Sequence, residues 1–412
     1  MKKMRFYAAA MLLLVLTNAQ AADKLVIDGI SYLVNAKKKT AVVTKNPQLY
    51  QGDIIIPEKV EQDSLTFYVE EIASGAFQGS TALTSVVIPS SIDRIGTAAF
   101  AGCSSLKSVS IPKSIEELPT SLFEGCSSLE QVDLPKSIRK MGNSVFKNCK
   151  SLVSIEIPTN ITNLPNATFE GCSSLKDVKL PAGLTNMGSG VFRECTSMET
   201  IDLPTGLSSL GSSVFAGNVS LKHVKLPTGM DAVPASMFEG CSSLEDIHIP
   251  NSVSGISHDA FNGCANLDTL ILPNSIRKLG NSFCKDCNNL RYVNIPASVD
   301  EIPSGAFENC TTLEQITFPN SIKEIGNGAF ENCTSLAAIT LPTSLKSIGG
   351  DAFDKCANLK TINSLCAAPP KISGSTFSKT TTREALLKVK KGSITNYQLD
   401  KQWNKFLDMV EE

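Results

Sequence analysis

The stretch "AFAGCSSLKSVSIPKSI", residues 99–115, is followed by "LFEGCSSLEQVDLPKSI" at 122–138 and "VFKNCKSLVSIEIPTNI" at 145–161. Each copy starts 23 residues after the one before. Phenylalanine keeps this register at 77, 100, 123 and onward to 353, interrupted only at Cys284, and proline keeps it from Pro89 to Pro342. A slot three residues after each Phe holds cysteine from Cys103 to Cys356 except at Asn218, with Ser80 before them. An ordinary globular core imposes no such period. Stacked units that lend one another a hydrophobic interior do, and an array of them lengthens without starting a second core.

Within one unit, "LKSVSIP" at 106–112 places Val109 and Ile111 two residues apart, the alternation of a short strand with one buried face, and Pro112 ends it by withholding an N–H donor. In "KSIEELPTSLF" at 113–123, Ile115, Leu118 and Phe123 are expected to point inward from an irregular or briefly helical return arm. Gly96, Pro119, Gly142 and Pro165 share one slot of that arm and suggest a turn. One strand per unit, stacked on its neighbours, gives a continuous parallel sheet.

Other segments bound the array. "MKKMRFYAAAMLLLVLTNAQAADK" carries Lys2, Lys3 and Arg5, a short apolar run, and small residues at Ala19 and Ala21, the pattern of a cleaved secretion signal at 1–21. That run is too short to span a bilayer, and no transmembrane segment is expected in the mature chain. Residues 22–71 suit an N-terminal β cap, in which "KLVIDGISYLV" and "TAVVTK" read as a hairpin and "DIIIPEKV" as a further strand. About thirteen units follow over 72–364. Residues 365–412 suit a C-terminal α+β cap, with "EALLKVKKGS" a strand and Tyr397, Leu399, Trp403, Phe406, Leu407 and Val410 placed to bury part of a closing helix.

The pattern IPxSIxxIGxxAFxxCxSLxxV, nearly complete as "IPSSIDRIGTAAFAGCSSLKSV" at 88–109, resembles the 23-residue leucine-rich repeat of bacterial BspA-like surface proteins. The fold class expected is an α/β repeat solenoid: a leucine-rich-repeat right-handed superhelix with a parallel β-sheet on the concave face, short strands and irregular or short-helical return arms, capped at both ends. The resemblance implies a secreted or surface-exposed protein that binds another protein, with host matrix proteins and adhesion as the implied context.

Composition narrows the chemistry. A net charge of -2 gives no electrostatic reason for nucleic acid as partner. Eleven of the 13 cysteines share one slot, where stacked Cβ atoms lie nearer 5 Å than the roughly 3.8 Å of a disulfide, so buried free thiols are expected. The one CxxC, Cys284 to Cys287, reads as a Phe-to-Cys exchange compensated by Phe283. His223 and His248, with Asp246 and lysines 222 and 225 beside them, make a poor metal ligand set. No nucleophile elbow, H-E-x-x-H, Walker loop or dinucleotide fingerprint occurs, so no catalytic residue, metal or cofactor is assigned.

The outward strand positions form columns. One runs Lys107, Glu130, Val153, Lys176, Glu199, Lys222 and on to Lys360, largely alternating in sign. A second runs from Val87 to Thr340 and is polar and mixed. Tyr and Arg favour binding hot spots, and the face offers only Arg291 and Tyr292, with Ile271 close by. The expected contact patch is therefore Ile271, Arg291, Tyr292 and Asn294. Two functions compete: a non-enzymatic protein-binding module, its ligand a host extracellular matrix or envelope protein, and a structural spacer of the cell envelope with no specific ligand.

Overall fold

The computed structural model describes residues 23–412, so the secretion signal expected at 1–21 lies outside the described residues. Six strands open the chain: β1 (Asp23–Ile27), β2 (Ile30–Asn35), β3 (Thr40–Val43), β4 (Gly52–Ile55), β5 (Lys59–Gln62) and β6 (Leu65–Ile72). The repeats then alternate two kinds of short strand, as in β7 (Leu83–Val87), β8 (Arg94–Ile95), β9 (Ser108–Ser110) and β10 (Glu117–Leu118). The first kind forms the outward face ladder, in which β9 pairs in parallel with β7 and with Gln131–Asp133. The second forms another parallel ladder along the arm, where Glu117 and Leu118 pair with Lys140 and Met141.

This second ladder adds a two-residue pairing to a return arm that is otherwise irregular, as expected. Between Pro112 and Pro119 there are too few residues for a helix, but Leu118 has its exposed neighbour Glu117 and is itself fully buried, a two-residue alternation sufficient for pairing. Among the described residues helix is confined to α1 (Lys379–Glu384), α2 (Ile394–Leu399) and a 3-10 turn at Trp403–Lys405, all beyond the repeats.

Each recurring residue type has a local cause. The Ile115 N–H donates to the Pro112 carbonyl at 3.1 Å, closing a tight turn, and the Ser137 hydroxyl donates to the Ile115 carbonyl of the previous turn at 2.7 Å. The bend before each Cys of the 23-residue slot twice enters the left-handed region, for example at Ser121 (φ 57°) and Gly125 (φ 74°). The Gly142 slot opens the turn expected from sequence, as where the Leu122 N–H donates to the Pro119 carbonyl at 3.3 Å, and in the turns that hold glycine it also marks a close approach. A Cβ there would lie 2.3 Å from the Thr120 backbone nitrogen, because successive turns touch main chain to main chain.

A single row of rings runs along the otherwise largely aliphatic core. From Phe77 to Phe261 neighbouring Phe centroids are 4.9–5.9 Å apart with interplanar angles of 15° or less. Tyr50 extends the row at its start, 4.4 Å from Phe77, and Phe377 extends it past Phe353 at 5.4 Å. At the turn of Cys284 the stack is interrupted, and Phe283 instead meets Phe307 edge-on at 5.2 Å and 74°.

The end segments differ from the sequence reading in detail. Asp28 and Gly29, both at positive φ, fold "KLVIDGISYLV" on itself, so β1, β2 and β3 make a three-stranded antiparallel meander where one hairpin was expected. β4 joins the face ladder beside β7, and β6 joins the arm ladder beside β8. At the far end Leu386–Val389 is the expected strand, and Asp408–Glu411 pairs beside it. Tyr397, Trp403 and Phe406 are buried as expected, with the Trp403 indole N–H donating to the Pro370 carbonyl at 2.8 Å. Leu399, Leu407 and Val410 are exposed, because two short helical turns and a strand replace the expected single helix and turn these side chains outward.

Candidate binding face

The cysteine column is the densest set of reactive groups, and it is wholly interior. All 13 thiols are free and buried. Cys149 donates to the Phe123 carbonyl at 3.2 Å, and Cys103, Cys126, Cys172 and their equivalents do the same one turn earlier in the stack. Burial pushes the thiols of Cys172, Cys241 and Cys356 up to about 12, which removes the thiolate that nucleophilic or metal chemistry needs. Asn218 occupies the slot with its Oδ1 accepting from the Cys195 N–H at 2.8 Å, while its Nδ2 has no partner. The CxxC is absorbed into the core: Cys284 and Cys287 are fully buried, and the backbone carbonyl of Cys284 accepts from Cys310.

His223 Nδ1 lies 3.2 Å from Asp246 Oδ1 on the next turn, an exposed side-chain pair. Among the described residues no group of three or more His, Cys, Asp or Glu is placed to hold a metal ion. Among them too, no helix is long and apolar enough to cross a membrane.

The strand face exposes three columns per turn, where the sequence reading followed two. The missed middle column contains Ser108, Gln131, Ser154, Asp177, Thr200 and His223 and continues through Tyr292 to Ala338. It was legible as the residue just before each buried Val or Ile. Cross-strand ion pairs knit the charged positions together: Lys179 with Glu156 at 2.9 Å, Lys222 with Glu199 at 3.1 Å, and Arg291 with Asp268 at 3.4 Å. All are largely exposed, so each contributes at most about 1 kcal/mol. Near the start of the face the hydroxyls of Ser85 and then Thr84 donate to Asp53 and hold its carboxyl below the usual range.

The four residues expected to form a patch sit on two adjacent turns, at or beside the strands Thr269–Leu270 and Tyr292–Val293. Ile271 is 54% exposed and Tyr292 47%. Thr269 and Leu270 pair with Tyr292 and Val293, which puts Ile271 level with Asn294. Asn294 plays a different part from its neighbours. Its Oδ1 accepts from the Leu272 N–H at 2.7 Å and its Nδ2 donates to the Leu272 carbonyl at 2.8 Å, so the amide stitches the strand edges together. Arg291 faces Asp268 through its ion pair. The geometry thus supplies a rigid, mostly hydrogen-bonded surface with two apolar side chains raised above it.

Beyond these residues the face divides. From Asp133 to His248 the middle and last columns carry charged or imidazole side chains in nearly every turn. From Thr269 to Asn363 the same two columns carry no charge over five consecutive turns.

The comparisons agree with this architecture. Three overlapping stretches, residues 70–192, 162–291 and 278–402, match the model of the BspA type leucine rich repeat region. A leucine-rich repeat protein from Bacteroides ovatus superposes with a TM-score of 0.79 at 27% identity, covering 94% of this chain and 99% of that one. A leucine rich cell surface protein from Faecalibacterium prausnitzii gives 0.62 at 27% identity, covering 83% and 94%. The pneumococcal vaccine antigen PcpA, 20% identical and matched over 96% and 100%, shares the fold with a TM-score of 0.53. No curated protein matches the chain. With the family model spanning most of the sequence and the repeat geometry in place, the chain belongs to the BspA type leucine-rich repeat family.

Proposed function

We propose that the chain is an exported, non-enzymatic binding protein that engages another protein through its strand face, with Ile271, Arg291 and Tyr292 in contact and Asn294 holding the two strands beneath them. The observation that carries this reading is the pair Ile271 and Tyr292, large exposed side chains on adjacent turns beside Arg291 and Asn294; the face has another exposed apolar pair, Ile55 and Val87, at its start. A preordered sheet loses little conformational entropy on binding, so a few anchors suffice. Export rests on the basic and apolar N-terminal sequence and on the similarity to a protein described as a cell surface protein. Surface adhesion to host matrix or envelope protein is the context that the family resemblance supports. The division into a β cap at 22–71, repeats at 72–364 and an α+β cap at 365–412 belongs to the same proposal.

The test is saturable binding of the purified chain to immobilised matrix proteins and envelope extract. The double change Arg291→Ala, Tyr292→Ala is expected to abolish it while leaving the circular dichroism unchanged. Binding that survives the double change removes this patch. The self-paired charges of the face favour the second reading, an envelope spacer without ligand, and absence of saturable binding to any of these preparations would select it.

A further inference from the structure

We propose that the uncharged middle and last columns of the strand face, from Thr269 to Asn363, are a seat for an extended, uncharged polypeptide segment that lies across the strands and is anchored on Ile271 and Tyr292. This rests on the protein-binding reading above and specifies the partner's chemistry and shape.

Charge comes first. The middle and last columns of these five turns are Thr269 and Ile271, Tyr292 and Asn294, Gln315 and Thr317, Ala338 and Thr340, Thr361 and Asn363. Interface centres are depleted of charged residues, since a charge stripped of water must find a partner in the complex. The neighbouring half, with Asp133, Glu156, Lys179, Asp202 and Lys225, has that difficulty, and its side chains already satisfy one another where Lys179 meets Glu156. A partner complementary to the neutral columns is itself neutral.

Dimensions decide the shape. Five strands at about 4.8 Å spacing span about 19 Å, and two columns two residues apart are about 7 Å across, roughly 300 Å² with side-chain width included. A folded protein needs about 800 Å² on each side. Spread to that size it would lie over the charged first column and the charged half. An extended segment of about six residues at 3.3 Å each covers the strip end to end. The face backbone is committed to its own ladder, as where Ala338 to Leu341 pair with Thr361 to Ser364, so recognition falls to side chains. Hydroxyls and amides at Thr269, Gln315, Thr317, Thr340 and Thr361 serve as donors or acceptors for peptide groups, and Ile271 and Tyr292 offer apolar contact at one end. A neutral glycan would match the hydroxyls, but it would have a single ring on which to stack and no use for Ile271.

The experiment is selection of a linear random-peptide display library against the purified full chain, run beside a folded-scaffold library and a panel of neutral glycans. Linear peptides sharing a core free of Lys, Arg, Asp and Glu are expected. A synthetic copy should change affinity by less than about threefold between about 0.05 and 0.5 M salt, because no exposed ion pair is made. Tyr292→Ala combined with Ile271→Ser should weaken it by at least about tenfold, the scale of hot-spot residues. Thr317→Glu should do likewise, whereas Lys179→Ala with Lys225→Ala should leave it unchanged. All of these positions are on the surface, and an unaltered melting curve excludes misfolding. Charged, salt-sensitive peptides, or peptides indifferent to Tyr292 and Thr317, overturn the inference. Binders found only among folded scaffolds but sensitive to Arg291 and Tyr292 overturn it while leaving the protein-binding reading intact. Glycan binders alone, or none from any source, overturn both.

Discussion

Gly142 shows how tightly one turn sits on the next. Its Cβ-less backbone passes the Thr120 nitrogen where an added carbon would lie 2.3 Å away, and Gly96, Gly188 and Gly280 stand in the same relation to Ser74, Asn166 and His258. A methyl group at Gly142 must push two backbones apart, and neither has a flexible side chain to yield. Gly142→Ala is therefore expected to destabilise the fold by about 1–3 kcal/mol, the cost of overpacking a well-filled site, measured as a lower denaturation midpoint. An exposed control outside this slot, such as Gly183→Ala, which meets nothing within 4 Å, should cost little. Sequence alone marked the slot as glycine or proline and suggested a turn. It could not reveal the close approach at the turns with glycine, because the facing atom belongs to a residue 22 positions away in sequence.

The cysteine column behaves as one element. Its thiols donate to carbonyls of the preceding turn and are held neutral by burial, with Cys172, Cys241 and Cys356 near 12. The unfolded thiol titrates near 8.5, so the unfolded chain releases protons first as pH rises. The stability from these groups is whole below about pH 8.5 and declines as pH climbs from there toward the folded values. Alkaline melts should show a falling transition temperature from about pH 9, and a thiol reagent should find all 13 groups only after denaturation. Rapid labelling of the native protein would contradict this. The column itself was readable from the 23-residue register, as was the row of Phe rings. The arm ladder was not, since two-residue strands such as Glu117–Leu118 are too short to leave a periodic trace. The exposed positions of Leu399 and Leu407 were hidden for a related reason: helical spacing in "ITNYQLDKQWNKFL" was broken by the extended backbone at Asp400.

Across the whole molecule stability is local and additive, since a turn touches only its neighbours. Deleting one complete unit, residues 145–167, joins two equivalent positions and should leave a folded, cooperative protein with a shorter ladder, checked by circular dichroism and thermal melting. Deleting eleven residues from the same region would place Phe opposite a polar slot and should abolish the transition. Length, parallel pairing and the inward row were thus set by the repeat. The binding face was legible as columns, and Ile271, Arg291 and Tyr292 could be named from them. That the amide of Asn294 is occupied by Leu272 depends on interstrand geometry that residue type does not encode.

The contact between Gly142 and Thr120 reaches further than stability. Successive turns meet here main chain to main chain, away from the outward side chains, so substituting an outward residue leaves the others at their places, like type in a fixed frame. A lineage can therefore rewrite what the face recognises one position at a time without retooling the support, and paralogues with unrelated ligands should superpose turn for turn.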